Sequence, residues 1–282
     1  MKEEKEMPKD SITSKRKGGG LVPLKITVAP NGARRTHKDH PMLPTKIADI
    51  AQTAKQCCAA GAHELHLHVR DGNQQHTLDT GVYREAMFAV ADAAPNMQIQ
   101  ITTEAAGLYD VAEQFDVLRQ LVPAAASISI REMARDDRLA RRMYDFAEEA
   151  GIHVQHILYD LQDIDQYRSW LAKSVISPTQ RDVLLVLGQY SPPRQGYAVE
   201  LPGMVAALNG EMTSWSVCAF GLSEQKVAQA AICMSGHVRV GFENNLQRED
   251  GQLLTNNVES VELVIQSASN LGRPLLGKVQ TP

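Results

Sequence analysis

The strongest constraint on the fold is a repeat of element type. Apolar runs short enough for strands alternate along the chain with longer segments whose apolar residues recur at helical spacing. The runs fall near 24–29, 63–69, 97–102, 125–130, 152–159, 183–188, 213–219 and 237–242. Helical periodicity covers, among others, Lys46 to Ala60, Gly81 to Ala93, Ala134 to Ala150, Ser223 to Met234 and Val258 to Leu271. Eight strands alternating with helices fit an α/β fold of the (β/α)8 TIM-barrel type. Its usual size of about 250 residues matches what the chain can order. An open doubly wound sheet is the second architecture compatible with the alternation.

With 43% hydrophobic and 22% charged residues, 282 residues can bury a full core as one large domain or two modest ones. The periodicity selects one barrel domain over 21–282. Residues 1–20 are rich in Lys, Glu, Asp and Ser and close on Gly18-Gly19-Gly20, so a disordered tail is expected there. The triple glycine has no preceding strand and no following Lys-Ser/Thr, which makes it a linker rather than a phosphate loop. A formal net charge of -4 and the absence of a dense basic stripe argue against nucleic acid as a partner. No apolar run approaches a membrane span, and no secretory h-region opens the chain. Cys57, Cys58, Cys218 and Cys233 contain no C-x-x-C pair. Adjacent Cys57 and Cys58 read as small packing residues of a helix, and the expected compartment is the reducing cytoplasm.

Chemistry enters at His66-Leu67-His68-Val69-Arg70-Asp71. Side chains at i and i+2 of a strand share a face, so both imidazoles can reach one divalent ion. The spacing alone also fits two core histidines, and a catalytic zinc site typically needs a third protein ligand beside an open position. Glu243, at the end of the apolar run Val238 to Phe242, supplies a candidate. In a barrel, strands two and eight both flank strand one and deliver residues to the same carboxyl face. In a doubly wound sheet the first and last strands often lie far apart, and that convergence is lost.

These residues sit within a wider pattern. Ile26-Thr27-Val28-Ala29-Pro30-Asn31-Gly32-Ala33, His40-Pro41-Met42-Leu43-Pro44, Ala60-Gly61-Ala62 leading into the histidine strand, Gly236 through Asn245, and Leu271-Gly272-Arg273-Pro274 together resemble the beta-keto acid cleavage enzymes over most of 24–276. This family includes the 3-keto-5-aminohexanoate cleavage enzyme. The resemblance implies a (β/α)8 barrel, a homo-oligomer (dimer or tetramer), and zinc held by His66, His68 and Glu243. It also implies exchange of an acyl group between a beta-keto acid and acetyl-CoA, giving acetoacetate and a new acyl-CoA. Such chemistry suits a Lewis acid that can chelate the keto oxygen and carboxylate of the substrate. Arg239 matches a family arginine that works with a carboxylate beside the metal, and Thr102 and Ser127 match hydroxyl positions near the substrate.

The chain departs from the family pattern around that metal site. The family's Glu-Asp pair after strand eight is Glu243-Asn244, and an amide at Asn244 cannot act as a carboxylate base. The glycine pair after strand three is Glu104-Ala105, the Asn-x-Gly of strand four is Ser129-Ile130-Arg131, and strand five carries Gln155 and Ile157 where acidic residues usually stand. Added side chains at the first two places narrow the barrel mouth. Arg34 stands where the aminohexanoate-cleaving relative has a glutamate suited to an ammonium group. The expected substrate therefore has an anionic, or at least non-cationic, distal end. The competing expectations are a metal-binding barrel that has lost turnover, with Asn244 as its mark, and a metal aldolase that needs no CoA.

Overall fold

The computed structural model describes residues 22–277, so the expected tail and its glycine run lie outside the described residues. Eight parallel strands alternate with helices: β1 (Ile26–Val28), α1 (Ile47–Ala60), β2 (Glu64–Leu67), α2 (Thr80–Ala93), β3 (Gln98–Thr102), α3 (Val111–Leu121), β4 (Ala125–Ser129), α4 (Asp137–Glu149), β5 (His153–Leu158), α5 (Leu161–Ala172), β6 (Asp182–Gln189), α6 (Leu201–Ala207), β7 (Ser214–Ala219), α7 (Glu224–Cys233), β8 (His237–Val240) and α8 (Asn257–Asn270). Each strand pairs with the next, β8 pairs with β1, and β6 pairs with β7 from Ser214 opposite Asp182 to Ala219 opposite Leu187. The sheet is therefore a closed (β/α)8 barrel with no free edge.

Outward-facing residues such as Ile26, Val28, Leu65, Leu67, Ile128 and Val154 are fully buried under the helices. Burial of both faces of each strand explains why these segments read as apolar runs. Five helices start on an Asp or Asn whose side chain accepts the N–H three residues on: Asp79, Asp110, Asp136, Asp160 and Asn256. These caps satisfy donors that the first turn leaves unpaired. At the amino-terminal end of the barrel the returning chain bridges Leu24 with Leu275, which closes the floor.

Two boundaries differ from the sequence reading. β2 ends at Leu67, and His68 stands just beyond it, because Val69–Arg70 leaves the barrel to pair antiparallel with His76–Thr77. The chain also turns helical at Ile130, in the short helix Ile130–Met133, so Arg131 belongs to a helical turn over the mouth.

Candidate metal centre and cavity

His66 occupies the third position of β2 and His68 the first position after it. Both are essentially inaccessible to solvent, and their Nε2 atoms lie 3.1 Å apart. Glu243 sits in the turn after β8, with Oε2 3.6 Å from each of those nitrogens. A tetrahedral ion with zinc-like bonds of about 2.0–2.1 Å holds its ligand atoms about 3.3–3.4 Å apart. The observed triangle brackets that spacing, so the three side chains can hold one metal ion.

Hydrogen bonding agrees with the geometry. His66 Nδ1 faces the Gln100 side-chain oxygen at 2.8 Å, which places the ring proton on Nδ1 and leaves a lone pair on Nε2. Glu243 Oε2 is buried with no hydrogen-bond partner, an arrangement that is costly unless a cation draws on it, while His68 Nδ1 also lacks a partner. Burial pushes the His66 imidazolium down to about 4, with Arg239 adding to the effect, and burial likewise holds His68 well below its ordinary value. Both rings are neutral at neutral pH, the form that ligates metals.

Local sequence explains the placement of Glu243. Gly32, after β1, has φ +61°, and a Cβ there would lie 2.5 Å from Glu243 Cγ. Only glycine tolerates both the left-handed backbone and that approach. Tyr190 donates its hydroxyl to the Glu243 carbonyl. Arg70 donates to the carbonyls of Gly32, Ala33 and Arg35, which fixes the loop carrying Arg34.

Above this cluster lies a cavity of about 190 Å³ whose wall carries Arg34, Arg131 and Arg239 against Glu104, Glu132 and Glu243. Arg239 donates through Nη2 to Glu243 Oε1 at 3.3 Å and reaches Cys218 Sγ at 3.4 Å. Its Nε and Nη1 are buried without a partner. Glu104 Oε2 stands 3.8 Å from His68 Nε2. Burial, then Glu243 and Glu132, push its carboxyl up to about 8. Arg34 is exposed at the mouth, its guanidinium 5.7 Å from the Tyr190 ring centre. Arg35 instead donates to the carbonyls of Phe242 and Asn244 and so serves the fold.

Thr102, Ser127 and Asn244, also singled out from sequence, fall outside this cavity wall. Thr102 Oγ1 accepts the Glu104 N–H at 3.0 Å, holding the loop after β3. Ser127 Oγ is buried in the barrel interior without a partner. Asn244 is fully buried and neither side-chain atom makes a hydrogen bond, so the structure pairs Arg239 with Glu243 rather than with Asn244. Glu104, Ser129 and Arg131, noticed in the sequence as departures, all line the cavity. Glu132, Tyr159 and Tyr190 join them, and no motif marked these three beforehand.

The chain belongs to the beta-keto acid cleavage enzyme family, whose model matches residues 23–281. It is 28% identical to the 3-keto-5-aminohexanoate cleavage enzyme of Fusobacterium nucleatum over 262 residues, covering 89% of this chain and 93% of that one. It is also 20% identical to the 3-oxoadipate:acetyl-CoA acetyltransferase of Cupriavidus necator, covering 90% and 91%. Among solved structures, ObcA bound to oxaloacetate superposes with a TM-score of 0.68 at 16% identity, over 84% of this chain and 65% of ObcA. That likeness supports the barrel fold.

Proposed function

We propose that this chain is a zinc enzyme that exchanges an acyl group between a beta-keto acid and acetyl-CoA. The bond between C2 and C3 of the keto acid breaks, and C2 joins the acetyl carbonyl to give acetoacetate. The remaining acyl group takes over the CoA sulfur, so atoms and charge balance. The observation that carries this reading is the convergence of His66, His68 and Glu243 beneath a cavity whose wall includes Arg239. A divalent ion held by those three side chains supplies Lewis-acid polarisation of a carbonyl.

The protein's own groups do the rest. Arg239 keeps Glu243 oriented through Nη2 and supplies a cation in the cavity wall for the substrate carboxylate. Arg34 presents a cation at the mouth, which favours a substrate whose distal end is anionic or neutral over one bearing an ammonium group. Thr102 holds the loop that brings Glu104 to the cavity wall, and Ser127 stands outside that wall in the barrel interior. The proposal includes a cytoplasmic setting, favoured by four unbridged thiols, and a dimer or tetramer in solution. No helix among the described residues is long and apolar enough to cross a membrane.

A second reading draws on Asn244, whose buried amide replaces an ionisable neighbour of Glu243: the barrel binds zinc and ligand without turnover. One assay separates them. Zinc-loaded protein is incubated with acetyl-CoA and a panel of beta-keto acids, and acetoacetate is followed by mass spectrometry. Acetoacetate from anionic or neutral substrates supports the exchange reaction, and Arg34→Glu is expected to shift preference toward amino-bearing substrates. Zinc binding without product across the panel favours the second reading, and cleavage without CoA identifies an aldolase. An unchanged preference in Arg34→Glu removes its selecting role.

A further inference from the structure

The interior of a (β/α)8 barrel is usually filled with branched apolar side chains. Here a file of polar side chains crosses it from the metal cluster toward the amino-terminal end. His66 Nδ1 faces Gln100 Oε1 at 2.8 Å, Gln100 Nε2 faces Gln155 Oε1 at 3.3 Å, and Gln155 Nε2 faces Asp182 Oδ2 at 3.2 Å. All four residues are at most 3% exposed. Strand register puts them in line: His66 pairs with Gln100, and Gln155 with Asp182, in neighbouring strands.

Direction is the informative property of this file. An amide side chain has one donating and one accepting end, so fixing one end of a chain of amides fixes the other. Asp182 is held as a carboxylate, its pKa lowered against burial by His153 Nε2 at 3.0 Å and by Lys25 Nζ at 3.9 Å. A carboxylate only accepts, so Gln155 must turn its NH2 group toward Asp182 and its oxygen toward Gln100. Gln100 then turns its NH2 group to Gln155 and its oxygen to His66. His66 must carry its proton on Nδ1, which leaves Nε2 free as a ligand. The Ser216 hydroxyl, 3.5 Å from Gln155 Nε2, can donate or accept and so imposes no direction.

We propose that Asp182 is a positioning residue that sets the tautomer of the metal ligand His66 through the side-chain amides of Gln155 and Gln100. The inference rests on the metal reading above and assigns to this chain a control point at the opposite end of the barrel from the cavity. Asp182→Asn offers an NH2 group in place of a carboxylate oxygen and lets both amides turn over. The reversed file would present a donor to His66 Nδ1 and move the ring proton to Nε2.

The test is zinc affinity, read by competition of the zinc-loaded protein with a chromophoric chelator. Losing an outer partner of a metal-bound histidine typically costs about 10- to 100-fold in affinity, and that loss is expected for Asp182→Asn. It is also expected for Gln155→Met, which cuts the file while leaving Asp182 with Lys25 and His153. Gln100→Glu places an obligate acceptor directly against His66 Nδ1 and makes the rest of the file redundant. Adding Asp182→Asn to Gln100→Glu is therefore expected to change affinity by less than about threefold. A merely structural role for Asp182 predicts the same loss in both backgrounds and overturns the inference. Unchanged affinity in both Asp182→Asn and Gln155→Met also overturns it. A parent protein that binds no zinc overturns the metal reading itself, a result distinguishable from either.

Discussion

Gly32 shows how a single residue governs the site from outside it. Its left-handed backbone and the 2.5 Å approach of a built Cβ to Glu243 Cγ mean that Gly32→Ala must displace the Glu243 side chain. The variant is expected to bind zinc at least about tenfold more weakly. Gly72→Ala, whose added Cβ meets nothing within 4 Å, is expected to leave binding unchanged. Equal affinities in the two variants would show that Gly32 does not seat Glu243. A second residue-scale prediction concerns His153, whose bond to Asp182 raises its pKa. The folded chain holds that proton to a higher pH than the unfolded chain does. The resulting stability is complete below about pH 6.5 and is lost as pH rises through the folded pKa. Proton NMR should titrate His153 above 6.5 in the parent and closer to 6.5 in Asp182→Asn; a parent midpoint at or below 6.5 contradicts the pairing.

At the scale of elements, helix starts were encoded locally. Asp110 and Glu113 form a reciprocal capping box at α3, with bonds of 2.9 and 2.8 Å. Asp110→Ala is expected to cost about 1 kcal/mol, or roughly 2–4 °C in Tm for a domain of this size; no shift in a thermal melt would remove the cap from the account. The strands were legible because their outward residues are apolar runs, and the histidine pair was legible because its spacing survives in one strand. What faces the interior was not. Gln100, Gln155 and Asp182 belong to three different strands, and although Gln155 stands out as a departure, only strand register together with barrel closure turns the three into a directed file. His68 reads as a strand residue because nothing in the sequence marks Val69 and Arg70 as leaving the barrel for an antiparallel ribbon. Glu104 stood out only as a departure, since its height above His68 depends on the turn after β3.

For the molecule as a whole, barrel closure turns distant sequence into one site. β1 pairs with both β2 and β8, so the loop after β1, the histidines of β2 and the turn after β8 meet over a single cavity. An open sheet would separate them. Family membership places this chain among the beta-keto acid cleavage enzymes, and the geometry agrees with the acyl exchange proposed above; Arg34, Glu104 and Asn244 are positions where its sequence departs from the family pattern. The most direct test supplies acetyl-CoA carrying carbon-13 at both acetyl carbons together with an unlabelled beta-keto acid. The account predicts acetoacetate bearing both labelled carbons, an unlabelled new acyl-CoA in equal amount, and loss of both products in His66→Ala. Keto acid cleavage that leaves the labelled acetyl-CoA intact, or label transfer that persists in His66→Ala, would contradict it.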